Sequence, residues 1–386
     1  MEPTMTQFAR TVVSGIRALD GFEAQLTLRA GELSMEAAVR CGPRRLIAVS
    51  YSAYVDPLAD LEDRLSGSPE YVGEDLASLS LTFDGRHTWL HDPGSDVVVR
   101  KRGRVVYSPL RGVELIGELG FLRDFSHDFL LADRGSEEVH GVPARTIALR
   151  PKHRARSTLL KEEFYPVRDA TVAFDTKTGF PLRVGFRPSN DAPLALLLPE
   201  GERVTVEHRN VVLAPPPSAR FEFTPPEGSR VFAEDPIPWA DLGARLPFAA
   251  PLDTLSTDGF VPVGNAVVAV DDDRRRGYLT AVLRRRSTDD SGSSQRITVR
   301  AGNYLSRNMS RRRAVLSEHG DPAPVPAERA WLLDRGEAFG RSIAAALAQP
   351  LVELGWEKDG TFWFLFCEGV EPAEILRRGR ALLSAT

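Results

Sequence analysis

The sequence predicts an α+β fold in two domains, the first of them built on an antiparallel sheet. Apolar and polar residues alternate with a period of two in "GFEAQLTLRAG", "SMEAAVRC" and later segments. This pattern is typical of antiparallel strands with one apolar and one solvated face. The 386 residues exceed the size of one typical core. The proline-containing stretch "AEDPIPWADLGARLPF" indicates a connection, so we expect domains at residues 1–232 and 233–386.

The first domain is expected to open with an amphipathic helix, because Phe8, Val12, Ile16 and Leu19 recur at helical spacing. Two short helices, "DPLADLEDRL" and "PLRGVELIGELGFL", are predicted to interrupt the strands that follow. The predicted strand segments are "GFEAQLTLRAG", "SMEAAVRC", "RRLIAVSY", "LSLTFDGRHTWLHDP", "DVVVRKRGRVVY", "GVPARTIALRP", "ATVAFD", "FPLRVGF", "RVTVEHRNVVL" and "FEFTPPEGSRV".

The segment "VAFDTKTGFPLRVGF" predicts a hairpin. Val172 and Phe174 alternate with smaller or polar neighbours before the turn, and Leu182 and Val184 do so after it. Gly179 can adopt a positive φ without steric cost, as such turns require. The hairpin therefore presents one face of large apolar side chains. That face either packs as an ordinary core or lines a hollow that holds a ligand.

The second domain is predicted to combine strands and helices. "GYLTAVLRRR" and "QRITVRAG" indicate strands joined by the loop "STDDSGSS", and "RGEAFGRSIAAALAQ" indicates a helix. "LVELGWEKDGTFWFLFC" predicts a hairpin that turns at Asp359 and Gly360. Both faces of "TFWFLFC" are apolar, which favours a central, buried strand. "EPAEILRRGRALLSA" predicts a C-terminal helix.

Composition and charge exclude several classes of function. A net charge of -4 and a pI near 6.1 give no case for nucleic-acid binding. The apolar run "SIAAALAQPLVEL" is too short for a transmembrane segment. "MEPTMTQFAR" lacks the features of a signal peptide, so the chain is either cytoplasmic or a mature form without its leader. Cys41 and Cys367 are too few for a metal cluster, and two buried thiols are favoured over a disulfide.

The motifs of common enzymes and metal sites are absent from the sequence. It contains no G-x-S-x-G, P-loop, dinucleotide-binding glycine motif, H-E-x-x-H or C-x-x-C. His87 and His91 fall on a predicted strand, where residues i and i+4 lie about 13 Å apart, too far for one metal ion. Ser126, His127 and Asp128 are adjacent and cannot fold onto one another as a triad. No catalytic residue, metal or cofactor is predicted.

Two charged stretches favour solvated surface over a binding site. In "VDDDRRRG", three arginines neutralise three aspartates, which indicates a self-neutralising loop more than a cation site. "SRNMSRRR" is locally basic and could contact phosphate, but a solvated edge or loop is the favoured interpretation.

Taken together, the first-domain segments resemble the LolA/LolB-like family, which includes outer-membrane lipoprotein carriers and related lipid-binding and envelope-stress sensor domains. The segments that carry the resemblance are "GFEAQLTLRAGE", "GPRRLIAVSY", "LTFDGRHTWLHDPGSDVVV", "GVPARTIALRPK", "VAFDTKTGFPLRVGF" and "FEFTPPEGSRV", in this order. The order of elements in the remaining chain is similar to the small α+β domain of envelope-stress regulators of the RseB/MucB kind.

The resemblance implies a curved antiparallel sheet, an unclosed β-barrel, plugged by short helices and followed by a smaller α+β domain. It also implies an apolar cavity that holds acyl chains of lipid or lipoprotein. Combined with the alternation pattern, it assigns to the cavity Phe22, Leu26, Leu28, Val39, Ile47, Val49, Leu81, Phe83, Trp89, Val172, Phe174, Leu182, Val184 and Phe186.

Three hypotheses for the function follow. The first is a non-enzymatic extracytoplasmic binder or carrier of lipid or lipoprotein, located in the periplasm. The second is an envelope-stress sensor whose second domain binds a membrane-associated or anti-sigma-type protein. The third is an enzyme of unrecognised type, which requires a carboxylate and a histidine within hydrogen-bond reach in a cleft.

Overall fold

A computed structural model describes residues 7, 12, 14, 19–31, 33–43, 46–54, 80–92, 97–103, 129–152, 167–188, 201–286, 294–304, 307–334 and 351–385. The chain divides into two compact units. Unit 1 comprises Met1–Gly94 and Arg102–Pro226, and unit 2 comprises Ser95–Lys101 and Glu227–Thr386. The boundary between the two units therefore follows Pro226, whereas the sequence predicts it after residue 232. Unit 2 also includes a short segment from the first half of the chain.

The strands and helices of the described residues have the following bounds. The strands are β1 (Phe22–Ala30), β2 (Leu33–Cys41), β3 (Ile47–Tyr54), β4 (Ser80–Phe83), β5 (His87–Asp92), β6 (Val97–Arg102), β7 (Phe129–Val139), β8 (Val142–Pro151), β9 (Val167–Asp175), β10 (Pro181–Pro188), β11 (Val204–Val212), β12 (Arg230–Ile237), β13 (Val261–Pro262), β14 (Ala266–Asp271), β15 (Gly277–Arg286), β16 (Ser294–Gly302), β17 (Asp321–Pro322), β18 (Arg329–Asp334), β19 (Leu351–Lys358) and β20 (Thr361–Glu368). The helices are α1 (Leu242–Arg245), α2 (Arg307–His319) and α3 (Pro372–Ala385).

Unit 1 is a curved antiparallel sheet, as the sequence predicts. Its strand order is β7-β8-β9-β10-β11-β1-β2-β3-β4-β5, and every neighbouring pair is antiparallel. Among the described pairings none joins β5 back to β7, so the sheet is unclosed. Alternating side chains put one apolar and one polar face on each strand, as in β1, where Leu26 and Leu28 are buried and Gln25 and Arg29 are exposed.

The β9–β10 hairpin forms as predicted. The Asp175 amide donates to the Phe180 carbonyl at 2.8 Å, and the Gly179 amide donates to the Asp175 carbonyl at 2.8 Å. Gly179 has φ +73°, a conformation that side chains other than glycine rarely adopt. A Cβ at this position would stand 3.2 Å from the Cα of Val12, a helical residue with 1% exposure. The turn therefore packs directly against Val12, a helical residue of the segment in which the sequence predicts a helix.

Unit 2 is a mixed sheet with helices on both faces. Its strand order is β6-β12-β14-β15-β16-β20-β19-β18-β17, with β13 beside β15. Only the β6–β12 pair is parallel among the described pairings. The central strand β20 is buried on both faces, as its aromatic sequence predicts. Trp363 and Leu365 pack with α3 in one cluster, and Phe362 and Phe364 pack with α2 in another.

Several expectations differ from the structure or fall outside the described residues. The predicted connection at 233–248 begins as part of β12, and Leu242 and Leu246 are buried in the core of unit 2. The segment "SRNMSRRR", expected to be an edge or loop, lies mostly in α2 because Met309 and Leu316 anchor that helix on the sheet. The helices predicted at 56–65, 109–122 and 335–349, the "STDDSGSS" loop and Ser126–Asp128 lie outside the described residues.

Candidate functional site

One face of the unit 1 sheet is a continuous apolar surface, which we call the apolar face. Strand pairing places its side chains in cross-strand rows. The first two rows are Leu149-Ala170-Phe186-Val204 and Ile147-Val172-Val184-Val206-Leu28-Met35. The remaining rows are His208-Leu26-Ala37-Tyr51, Ala24-Val39-Val49-Leu81-Leu90 and Phe22-Cys41-Ile47-Phe83-Thr88.

The apolar face contains almost all of the residues that the sequence predicts for a cavity. They are buried and belong to one hydrophobic cluster: Phe22, Leu26, Leu28, Val39, Ile47, Val49, Leu81, Phe83, Val172, Phe174, Leu182, Val184 and Phe186. Removing such side chains from water stabilises the fold by roughly 1.5–3 kcal/mol each. A packed core and the lining of a covered hollow both require this burial.

Trp89 lies on the opposite face of the sheet, and its assignment to the apolar face is corrected here. It pairs with Thr82, between Leu81 and Phe83, so its side chain points away from theirs. The cause is the β4–β5 turn, which pairs Phe83 with Thr88. Thr88 therefore shares the face of Phe83, and the next residue, Trp89, falls on the opposite face. The Trp89 Nε1 donates to Asp84 Oδ2 at 2.8 Å.

Asp84 organises this turn through its carboxylate. Its Oδ1 accepts hydrogen bonds from the amides of Arg86 and His87, each at 2.7 Å. Burial opposes ionisation of the Asp84 carboxyl, but these two amides and Trp89 lower its pKa below the ordinary value. The Trp89 ring stacks on Phe223 at 5.5 Å between centroids. Trp89 therefore has a structural role at the turn.

His208 is the polar residue that the sequence-based site omitted. It follows Val204 and Val206 at a spacing of two on β11, so its ring shares their face. The side chain is 1% exposed and lies beside Leu26 of β1. The Phe180 ring meets it edge-on, with centroids 5.3 Å apart. The hydrogen-bonding contact of the ring is with the backbone of Pro181, which has no N–H and can only accept.

The environment of His208 keeps its ring neutral. Burial lowers the pKa of His208 to about 4, and the Pro181 backbone offsets only part of this effect. A neutral imidazole has one N–H donor and one acceptor nitrogen. At neutral pH, His208 is therefore an uncharged, buried ring on the apolar face.

A buried arginine organises the core of unit 2. The Arg378 guanidinium is 1% exposed and donates to the carbonyl of Leu255 at 2.9 Å and to Glu374 Oε1 at 2.8 Å. It also stacks on the Phe260 ring, as Arg285 does, at 4.4 and 4.5 Å from the ring centroid. These contacts satisfy Arg378 within the protein, so it joins α3 to the preceding turns and is not available to a ligand.

The other candidates do not form a reactive site. Among the described residues no group of three or more His, Cys, Asp and Glu side chains could hold a metal ion. His140 and Glu207 approach to 3.2 Å, but both lie on the polar face of the sheet and are partly exposed. Asp271 stabilises a turn, because its Oδ1 accepts hydrogen bonds from the backbone amides of Arg275 and Arg276. Within the described part of the chain, no helix has both the length and the hydropathy of a membrane span.

Comparison with known proteins identifies related folds and no close relative. No family model matches the sequence, and no curated protein matches it. Solved structures do match: the complex of MucA and MucB from Pseudomonas aeruginosa has 11% identity and a TM-score of 0.33, with 96% of this chain and 95% of that chain covered.

Two further solved structures match only part of the chain. The Mycobacterium tuberculosis lipoprotein LppX has 12% identity and a TM-score of 0.34, and covers 56% of this chain and 100% of its own. A LolA-superfamily protein from Nitrosomonas europaea has 12% identity and a TM-score of 0.25, and covers 57% and 99%.

Proposed function

We propose that this protein is a non-enzymatic, extracytoplasmic binder or carrier of lipid or lipoprotein that holds acyl chains against the apolar face of unit 1. The observation that carries the proposal is the continuity of that face: its cross-strand rows extend from β8 to β5. The resemblance of the first-domain segments to lipoprotein carriers supports the same function.

The physical basis of binding is transfer of hydrocarbon out of water. Each CH₂ group that moves from water to the apolar face contributes about 0.8 kcal/mol, before the costs of ordering the ligand are subtracted. The predicted N-terminal helix would act as the lid, and the contact of Val12 with the hairpin turn at Gly179 supports this role. No covalent chemistry is required.

Ala37 offers a test that separates a hollow from a packed core. Ala37 is buried near the centre of the apolar face, between Leu26 and Tyr51. A tryptophan here would occupy space that an acyl chain needs. If the face lines a hollow, Ala37→Trp folds with nearly unchanged Tm and loses affinity for a fluorescent phospholipid. If the core is solid, the same substitution overpacks it and costs about 1–3 kcal/mol or more.

The matched control is the next residue along the strand. Ala38 pairs with Gln25 and Ser50 on the polar face, so Ala38→Trp adds the same volume on the other side of β2. This variant should keep wild-type affinity. Equal loss of affinity in both variants, or destabilisation of Ala37→Trp without lipid binding by the wild type, contradicts the proposal.

A second candidate is a sensor that binds a partner protein, of the anti-sigma type, through unit 2. Two exposed valines favour it: Val261 and Val263 are 59% and 43% exposed and lie on the same side of the β13 segment. Replacing both with glutamate should abolish capture of such a partner and leave lipid binding unchanged. If the partner binds the variant normally, these valines are not the contact.

A further inference from the structure

Unit 2 contains a strand whose chain neighbours on both sides belong to unit 1. The segment Ser95–Lys101 lies between Met1–Gly94 and Arg102–Pro226, which are the two pieces of unit 1. The chain therefore passes between the units after Gly94, after Lys101 and again after Pro226. Two domains in tandem need a single passage, and a flexible linker there lets them move separately. The two extra passages tie β6 to the chain of unit 1 at both of its ends.

β6 is an integral strand of unit 2. It pairs in parallel with β12, from Val97 opposite Arg230 to Lys101 opposite Glu234. Its three valines are at most 9% exposed. The Lys101 Nζ lies 2.6 Å from Glu234 Oε1, and the Tyr278 hydroxyl donates to Glu234 Oε2 at 3.1 Å. Separation of β6 from β12 therefore exposes apolar side chains and disrupts a largely buried ion pair.

The chain that leaves β6 is fixed within unit 1 almost at once. The Gly103 amide donates to the Arg86 carbonyl at 2.9 Å, and the Gly103 carbonyl accepts from the Thr88 hydroxyl at 2.8 Å. Thr88 is fully buried at the end of a row of the apolar face. Only Arg102 separates Gly103 from Lys101, and Arg102 belongs to β6, so its backbone is already extended. A displacement of Gly103 therefore finds no slack in the chain, and β6 must follow it.

The route into β12 is held by the same strand of unit 1. Trp89, the neighbour of Thr88 on β5, stacks on Phe223 with centroids 5.5 Å apart. The chain continues from Phe223 to the start of β12 at Arg230. Within unit 1, β5 therefore contacts the segments that lead to both members of the β6–β12 pair.

We propose that β6 is a coupling strand: a change at β5 in unit 1 alters the pairing of β6 with β12, and loosening of that pair in unit 2 loosens the Gly103 anchor. The effect is reciprocal, because both changes act on one equilibrium between a paired and a separated β6. A ligand of one unit that distinguishes the two states would alter the affinity of the other unit for its own ligand. The coupling itself needs no ligand, so the inference stands apart from the proposed function.

Hydrogen exchange of the full-length protein, measured by mass spectrometry on its peptides, tests the coupling. Thr88→Val removes the hydroxyl that holds the Gly103 carbonyl and keeps a β-branched side chain of similar size. The amides of β6 and β12 should exchange about threefold to fivefold faster in this variant, the value of one neutral hydrogen bond. The amides of β15 and β16, in the middle of the unit 2 sheet, should exchange as in the wild type.

The matched control is Thr27→Val. Thr27 is a buried threonine of the same sheet, but it lies on β1, and β2, β3 and β4 separate it from β5. This variant should leave exchange in β6 and β12 at the wild-type rate. A second background carries two glycines inserted between Arg102 and Gly103, which add up to about 7 Å of chain. In that background Thr88→Val should no longer affect β6 and β12, because the inserted residues absorb the displacement.

The reverse direction uses Lys101→Met, which removes the ion pair with Glu234 in unit 2. It should speed exchange in the unit 1 peptide that contains Arg86 and Thr88. The inference is overturned if Thr88→Val leaves β6 and β12 at wild-type exchange, if Thr27→Val accelerates them equally, or if the glycine insertion does not abolish the effect. If Thr88→Val does not fold, the reverse direction decides: unchanged exchange in unit 1 refutes the coupling, and faster exchange confined to that peptide supports it.

Discussion

His208 gives the protein a distinctive dependence of stability on pH. Its pKa is about 4 in the folded protein, below the value of 6.5 for an unperturbed histidine. The unfolded chain therefore binds a proton more readily, and the wild type loses stability as the pH falls below 6.5 toward 4. Relative to a variant without this ring, the loss is on the order of 1 kcal/mol at pH 5.5 and on the order of 2 to 3 kcal/mol at pH 4.5.

Urea unfolding of the wild type and His208→Leu at pH 7.5, 5.5 and 4.5 measures this difference. The carboxylates titrate in both proteins, so they largely cancel when the two free energies of unfolding are subtracted. At pH 7.5, His208→Leu should be as stable as the wild type or more stable, because leucine suits the apolar face. A difference that stays constant across the three pH values would refute the burial of a neutral imidazole at this position.

Three further outcomes are expected for the fold. Arg378→Met should cost roughly 3 kcal/mol in urea unfolding, because the buried carbonyl of Leu255 and the carbonyl of Thr257 lose their donor, although Glu374 keeps Arg285. The exposed Arg377→Met should change little, and equal effects of the two substitutions would contradict this account. A fragment of residues 227–386 lacks β6, so it should fail to give the dispersed NMR spectrum of a folded domain. Fusion of residues 95–101 to this fragment should improve the spectrum. A well-folded fragment without residues 95–101 would show β6 to be dispensable. Gly21→Ala should lower the Tm by several degrees, because its Cβ would stand 2.4 Å from a backbone oxygen at the end of β2; an unchanged Tm would contradict that close approach.

The strands of unit 1 could be predicted from the sequence wherever one face of the strand is buried and the other is exposed to solvent. Period-two alternation identifies strands such as β1, β2 and β10, because each has one apolar and one polar face. β7 shows the limit of the method. It is exposed along most of its length, with Leu130 57% exposed, and it pairs only with β8 among the described residues. An edge strand with little burial has no hydrophobic pattern to detect.

Long-range pairing could not be predicted from local patterns. β6 is expected as a strand, but its parallel partner β12 is more than a hundred residues away, so β6 belongs to unit 2 although the segments on either side of it in sequence belong to unit 1. The face of Trp89 depends on how many residues the β4–β5 turn contains, and a shift of one residue reverses the face. Helix α2 has an arginine-rich sequence, and among its described residues Met309, Val315 and Leu316 pack in a cluster.

The candidate site is partly visible in the sequence. The alternation of "RVTVEH" places His208 in phase with Val204 and Val206, and this signal could have added it to the predicted face. What the sequence cannot supply is the complete burial of the ring, since that depends on neighbours from β1 and from the β9–β10 turn. The neutral state of the ring follows from this burial and therefore only from the assembled sheet.

Native mass spectrometry of the full-length protein tests the central claim most directly. The protein would be measured as purified, after organic extraction, and after challenge with phospholipids, diacylglycerol and a diacylated peptide. The account predicts a discrete added mass that extracts as a lipid containing acyl chains and that returns when the stripped protein is challenged. A bare chain mass before and after every challenge would contradict acyl-chain binding, and would leave the apolar face of unit 1 as an ordinary core.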